Sequence, residues 1–197
     1  MITTDDKNLL MTQIGTDVTL LSFLSAISVF FVGALLPKFD SLNLTVKIPI
    51  SFLIVSTLAF FFSALILSNA NQKIFMGDSV RAKEFLMWGY AISEYLGVFL
   101  FVLSVPLAIS ILTADTYLRV VTFVSAILGL GFYQLMGFSL LESQFTKSFG
   151  WLSVLTLLLG IGLFVSQVLA FHFTPAAVIF LIYIFFITCL GPVEKFQ

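Results

Sequence analysis

Few residues in this sequence could do chemistry inside an apolar medium, and the candidates form a short set: Ser63, Glu94, Ser104, Tyr133 and Gln134. Glu94 is the acid closest to the middle of a long apolar stretch. A charged side chain at the centre of a bilayer costs at least ~2.5–3.5 kcal/mol, so an acid kept there holds a proton or a cation. Counting from Glu94 to Thr113 gives ~28 Å of helix, which places the carboxylate at the inner edge of a bilayer rather than in its core. Glu94 is therefore expected as an interfacial acid, the other reading being a proton or cation site lining an inner vestibule. Glu142 ends a later apolar run on the same side.

The neutral polar residues add to this. Ser104 stands two residues before Pro106. A proline inside a helix frees a carbonyl one turn back, and another helix or a water must satisfy it. Gln134 follows Tyr133 in the inner half of its run, and Ser63 falls near the same depth. Ser63, Ser104, Tyr133 and Gln134 can thus form one polar patch inside a bundle. Such a patch serves either as interhelical packing, at ~0.6–2 kcal/mol per hydrogen bond, or as a path for substrate or water. Gln167 lies at a different depth, in the outer half of another run.

No catalytic, metal or cofactor constellation accompanies these residues. His172 is the single histidine, and a metal site needs several convergent His, Cys, Asp or Glu ligands. Cys189, the single cysteine, has no internal disulfide partner and reads as a small buried apolar residue. A phosphate-cradling glycine loop, a nucleophile elbow, a zinc signature and a CxxC pair are all missing. The net charge is −1 with no basic run, so no nucleic-acid partner is expected.

The elements that must position the patch follow from composition. Of 197 residues, 60% are hydrophobic, 10% are charged and 24 are Phe, and the mean hydropathy is +1.14. An average soluble domain is ~45–50% apolar and ~25% charged, so the natural solvent for this chain is a lipid bilayer. Six apolar runs stand out: Val18 to Leu36, Ile48 to Ala70, Ile92 to Thr113, Tyr117 to Leu141, Trp151 to Phe171 and Pro175 to Leu190. All but the last have the ~17–25 residues that cross ~30 Å of hydrocarbon. The last is marginal and either spans a thinned bilayer or re-enters. The runs lack the polar–apolar alternation of barrel strands, so they must be helices. The expected fold class is all-α, a polytopic transmembrane bundle of about six spans.

Orientation follows from the basic residues in the loops. With the N-terminus cytoplasmic, Lys7, Lys73, Arg81, Lys83, Lys147 and Lys195 lie inside, and Lys38, Lys47 and Arg119 lie outside. Both termini are thus expected in the cytoplasm, in the cell membrane. The acidic opening Asp5-Asp6 is unlike a secretory signal. Residues 1–17 read as a cytoplasmic or interfacial segment with a short helix over 4–17. Residues 18–190 read as the six-helix domain, and 191–197 as a short cytoplasmic tail closed off by Gly191-Pro192.

Asp78 or Ser79 can cap a helix that meets no breaker before Leu112, so a single helix of ~50 Å is expected over about 79–112. Its first part, about 79–91, projects from the membrane. There Arg81, Lys83 and Glu84 offer a docking surface, unless the segment is only an interfacial anchor, with Trp88 and Tyr90, like Trp151, at headgroup level. Asp115 and Arg119, four apart, suit a local ion pair. Ser125, Gly129, Gly131, Gly137, Gly160 and Gly162 read as close-packing positions. Ser22-Phe23-Leu24-Ser25-Ala26-Ile27 resembles Thr122-Phe123-Val124-Ser125-Ala126-Ile127, and Phe61-Phe62-Ser63 aligns with Phe164-Val165-Ser166. Those matches suggest a weak inverted 3+3 repeat of the kind transporters use. A small channel or transporter, as a homo-oligomer, is the leading functional expectation. The alternative is a non-catalytic subunit or assembly factor in a larger membrane complex.

Overall fold

The computed structural model describes the backbone of residues 4–38, 44–144, 150–168 and 173–193. Every element in it is helical: α1 (Thr4–Leu35), α2 (Leu44–Phe75), α3 (Ser79–Ala91), a π-helical segment (Ile92–Phe99), α4 (Leu100–Leu112), α5 (Thr116–Gln144), α6 (Gly150–Val168) and α7 (Phe173–Val193), with a short 3₁₀ turn at Leu36–Lys38. Four helices, Lys7–Leu35, Lys47–Phe75, Ser79–Leu112 and Thr116–Tyr133, are long and apolar enough to cross a membrane. Their outer faces carry Phe23, Phe30, Phe61, Phe62 and Phe132, all exposed. A surface that apolar is what a membrane-embedded protein presents to lipid.

Three rods carry the architecture. The first is α1, which runs unbroken through Asp17. The expected division between a short helix over 4–17 and a separate first span is replaced by one helix, since no Gly-Pro or turn pair interrupts it. The second rod is α2. The third is the continuous stack of α3, the π segment and α4 over Ser79–Leu112. Each is ~48–51 Å long at 1.5 Å per residue, well beyond ~30 Å of hydrocarbon. The first and second rods pair antiparallel: the Ser25 hydroxyl donates to the Thr57 carbonyl and Lys7 Nζ to the Phe75 carbonyl, both at 3.3 Å.

The turn between α2 and α3 is closed by local rules. The Asp78 N–H donates to the Lys73 carbonyl at 3.0 Å and the Gly77 N–H to the Ile74 carbonyl at 3.1 Å, a Schellman closure. Gly77 takes φ +81°, the left-handed geometry the motif demands. Asp78 then accepts the Arg81 N–H and caps α3. As a result α3 does not project alone. It lies against α2, burying Ala82, Leu86, Met87 and Gly89, while Arg81, Lys83 and Glu84 stay exposed.

Two glycines set how closely these rods approach. A Cβ on Gly97 would stand 2.5 Å from Phe60 Cε1, and one on Gly89 would stand 2.7 Å from Leu67 Cδ2. Gly160 of α6 packs in the same way on Leu103, at 3.2 Å. Gly129, Gly131 and Gly162 meet nothing within 4 Å, so they are not the packing positions their spacing suggested. On the far side Phe123 of α5 stacks on Phe164 of α6, with centroids 3.8 Å apart, and Phe180 of α7 stacks on Phe52 at 5.9 Å.

Other expectations change. α7 continues to Val193 through Gly191-Pro192, giving 21 residues in place of the marginal run. Cys189 is exposed, not buried. Arg119 does not pair with Asp115; its Nε donates to the Thr113 carbonyl at 2.8 Å, while Asp115 accepts the Leu118 N–H and caps α5. The residues matched in the proposed repeat differ in environment: Phe61 is exposed where Phe164 is buried, and Phe23 is exposed where Phe123 stacks.

These contacts give an expected outcome. Gly97→Ala should destabilise the bundle by ~1–3 kcal/mol, because the Phe60 ring is fully buried and has nowhere to retreat. Gly129→Ala should be neutral or stabilising by up to ~1 kcal/mol through helix propensity alone. Thermal unfolding of the two purified variants in one detergent separates them. Equal loss in both would overturn this packing.

Candidate functional site

The π segment is the part of the third rod most enclosed by its neighbours. Ser93, Glu94, Tyr95, Leu96, Gly97 and Phe99 are all buried there. A π turn is wider than an α turn, so successive side chains spread differently round the axis; such turns concentrate at functional sites. Here three consecutive polar residues, Ser93, Glu94 and Tyr95, turn inward together. Glu94 is only 4% exposed.

Several polar groups share its level. By the register that sets Gly97 against Phe60 and Gly89 against Leu67, Ser63 of α2 lies opposite Ser93 and Glu94. Tyr133 of α5 is within electrostatic range of Glu94 and of Asp17 in α1, and Tyr90 is within range of Tyr133. The Tyr90 hydroxyl donates to Asp17 Oδ2 at 2.6 Å, tying α1 to α3. At ~1.5 Å per residue, the distance along the helix is ~27 Å from Asp17 to Leu35, ~24 Å from Ser63 to Lys47, ~27 Å from Glu94 to Leu112 and ~26 Å from Tyr133 to Thr116. Four helices thus put their polar group nearly the same distance from the far end of the bundle. Together the groups form one polar layer, about a hydrocarbon thickness from that end.

Of the polar patch read from sequence, Ser63 and Ser104 are fully buried and Tyr133 is exposed. Ser104 is ten residues from Glu94, ~15 Å along the rod, and its hydroxyl donates to the Phe101 carbonyl at 2.6 Å. The side chain of Gln134 lies outside the described residues, as do those of Glu142, Trp151, Gln167 and His172. Glu94, expected as an interfacial acid, is buried within the bundle. Among the described residues no three His, Cys, Asp or Glu side chains converge as a metal site. Asp17 was not among the sequence candidates. The sequence reading ends a short helix at residue 17, and a helix that continues through Asp17 carries it to Tyr90.

The hydroxyls of the bundle follow a pattern with one exception. Buried Ser28, Ser56, Ser93, Ser104, Ser110 and Thr188 each donate to a carbonyl three or four residues back in their own helix. Ser63 is 0% exposed and its Oγ has no hydrogen-bond partner. A buried hydroxyl left unpaired costs ~1–3 kcal/mol, and the i−4 carbonyl solution is open to any helical serine.

The tie between α1 and α3 can be tested by a double-mutant cycle on Tyr90→Phe and Asp17→Ala. Each single change should cost ~0.6–2 kcal/mol, the range for a hydrogen bond between membrane helices. The double variant should cost clearly less than the sum, read from thermal unfolding in detergent; strict additivity would show that the pair does not interact. No family model, curated protein or solved structure matches this chain, so what it does must be reasoned from this polar layer.

Proposed function

We propose that the chain is an integral membrane protein of six spans that conducts or transports protons or small cations through the polar layer around Glu94. The observation that carries this reading is the burial of a carboxylate, 4% exposed, in a π segment of a long apolar helix. Intramembrane acids enclosed by a bundle mark ion and proton paths because they are costly to keep otherwise. Pro106, buried in α4, adds a second irregular point to the same rod. Beyond the four long apolar helices, α6 with 19 residues and α7 with 21 complete the count of spans. Their ~28 Å and ~32 Å suit the hydrocarbon core. The distribution of Lys and Arg puts the α2–α3 turn and both termini in the cytoplasm of a cell-membrane protein. The polar layer then lies just inside the cytoplasmic headgroups.

A second reading, a subunit of a larger membrane complex, is favoured by the α2–α3 turn itself. Phe75, Met76 and Val80 are exposed there, beside Arg81, Lys83 and Glu84. They stand ~20 Å beyond the polar layer by helix rise. Apolar side chains grouped so far from lipid suit a protein contact.

Flux into liposomes tests the first reading. The reconstituted wild type should move protons or monovalent cations, and Glu94→Gln should lower the rate at least ~10-fold while the protein stays monodisperse; a factor of ten corresponds to ~1.4 kcal/mol in the barrier. Undiminished flux in Glu94→Gln removes the site assignment. Wild-type vesicles that move nothing turn the choice to the second reading. That reading expects a complex, purified in mild detergent, to dissociate when Arg81 and Lys83 are both changed to Glu.

A further inference from the structure

The third rod holds one residue more than its packing on α2 requires. Gly97 lies under Phe60, and Gly89 lies under Leu67. Phe60 and Leu67 are seven residues apart on α2, whereas Gly89 and Gly97 are eight apart on the rod. At ~100° per residue, seven residues turn ~700° and return a helix to the same face, but eight turn ~800° and overshoot two full turns by ~80°. The π segment Ile92–Phe99 begins inside this interval. A π turn holds more residues than an α turn, so it takes up the surplus. The backbone and the side-chain contacts thus give the same count independently.

A surplus residue between two fixed contacts has no single place to sit. Residues before it take their direction from Gly89, and residues after it take theirs from Gly97. Glu94 is five residues after Gly89 and three before Gly97. Its side chain points ~140° from the α2 face by the first count and ~60° by the second. Moving the wide turn past Glu94 therefore swings the side chain by ~80° about the rod axis. Neither glycine contact is disturbed. Both ends of the interval are held: α3 by the Asp78 cap and the Tyr90–Asp17 hydrogen bond, and α4 by Phe101 against the Phe60 ring. The segment between them packs against both α2 and α7, so a side chain that swings there meets different neighbours.

Resting on the transport reading above, we propose that the π segment is a register switch: its surplus residue migrates between Gly89 and Gly97 and turns Glu94 between two orientations. The wide turn is the moving part, and the two glycine contacts are its stops. Each step exchanges a few backbone hydrogen bonds between partners five and four residues back. Access to the acid alternates while the rods stay in place.

Three full-length variants in a neutral detergent test this. Deletion of Ile92 leaves seven residues from one glycine to the other and removes the surplus. Its melting temperature should stay within ~4 °C of that of Ile92→Ala, which loses the same side chain without changing the count. Deletion of Leu65, an exposed residue between Phe60 and Leu67, sets six residues against eight. It should melt at least ~8 °C lower, since only register is lost with it. In amide hydrogen exchange, Ser93–Leu96 should exchange at least ~10-fold faster in Ile92→Ala than in the Ile92 deletion, because only the former has a residue to move. In liposomes the Ile92 deletion should lose flux at least ~10-fold relative to Ile92→Ala. An Ile92 deletion that melts as low as the Leu65 deletion overturns the surplus residue. Equal exchange in the two Ile92 variants overturns its migration, and equal flux overturns its part in transport. A wild type that moves nothing removes the transport reading alone, since melting and exchange decide the switch without flux.

Discussion

The arrangement of the bundle depends on how closely α2 can approach the long third rod. Lipid tails are as apolar as leucine, so the hydrophobic effect does not press one membrane helix against another; close backbone approach and dispersion must do it. The Phe60 ring lies where a side chain at residue 97 would begin, and Leu67 lies where one at residue 89 would begin. These contacts are two turns apart and fix both distance and register. Once they are made, Ser63 has to face residues 93 and 94. Phe101 is carried against the Phe60 ring, centroids 6.1 Å apart, and Phe31 of α1 is carried against Phe101 at 6.3 Å. The Tyr90–Asp17 hydrogen bond then fastens α1 onto the same rod.

The π segment is the second consequence. It begins where α3, wet on one side at Arg81, Lys83 and Glu84, passes into a stretch enclosed by neighbours. An α-helix with one exposed stripe can keep its polar residues on that stripe. Within Ile92–Phe99 little exposed stripe remains, and Ser93, Glu94 and Tyr95 must all be accommodated inside. Widening the turn lets Ser93 bond back to the Tyr90 carbonyl while Glu94 faces the layer and Tyr95 stacks on Phe99 at 6.1 Å. The irregular backbone and the buried acid thus belong to one solution.

What could be read from the sequence was axial, and what could not was lateral. Apolar runs and breakers give position along a helix axis, so the unbroken helix from Ser79 to Leu112 is legible in the sequence. Which face turns inward is not, because both faces are apolar when the surroundings are lipid. That is why Gly129 and Gly131, at favourable spacing, point at nothing, while Gly89 and Gly97, with no special spacing, are under other side chains. It is also why Cys189 is on the outside. Asp17 is a related case: a helix boundary set at the first apolar residue leaves the polar residue before it at a helix end, whereas α1 runs straight through it. The end of α7 was misjudged because Gly191-Pro192 stops a helix in water more readily than one packed against a bundle, where neighbouring groups can take up the freed carbonyl.

The placement of hydroxyls bears on how the buried serines and threonines contribute to helix association. If buried serines and threonines were present to join helices, they would donate across helix interfaces. Most donate inside their own helix, to the carbonyl three or four residues back, and so contribute small volume and little else to association. Side-chain bonds between helices include Ser25 to Thr57, Lys7 to Phe75 and Tyr90 to Asp17. The last of these fastens α1 to α3. Glue therefore accounts for Tyr90 and Asp17 but not for Ser63, whose fully buried Oγ has no hydrogen-bond partner. The i−4 carbonyl solution that the other buried serines use is open to any helical serine, so an unpaired Ser63 Oγ stands as a local cost of the fit between α2 and the third rod.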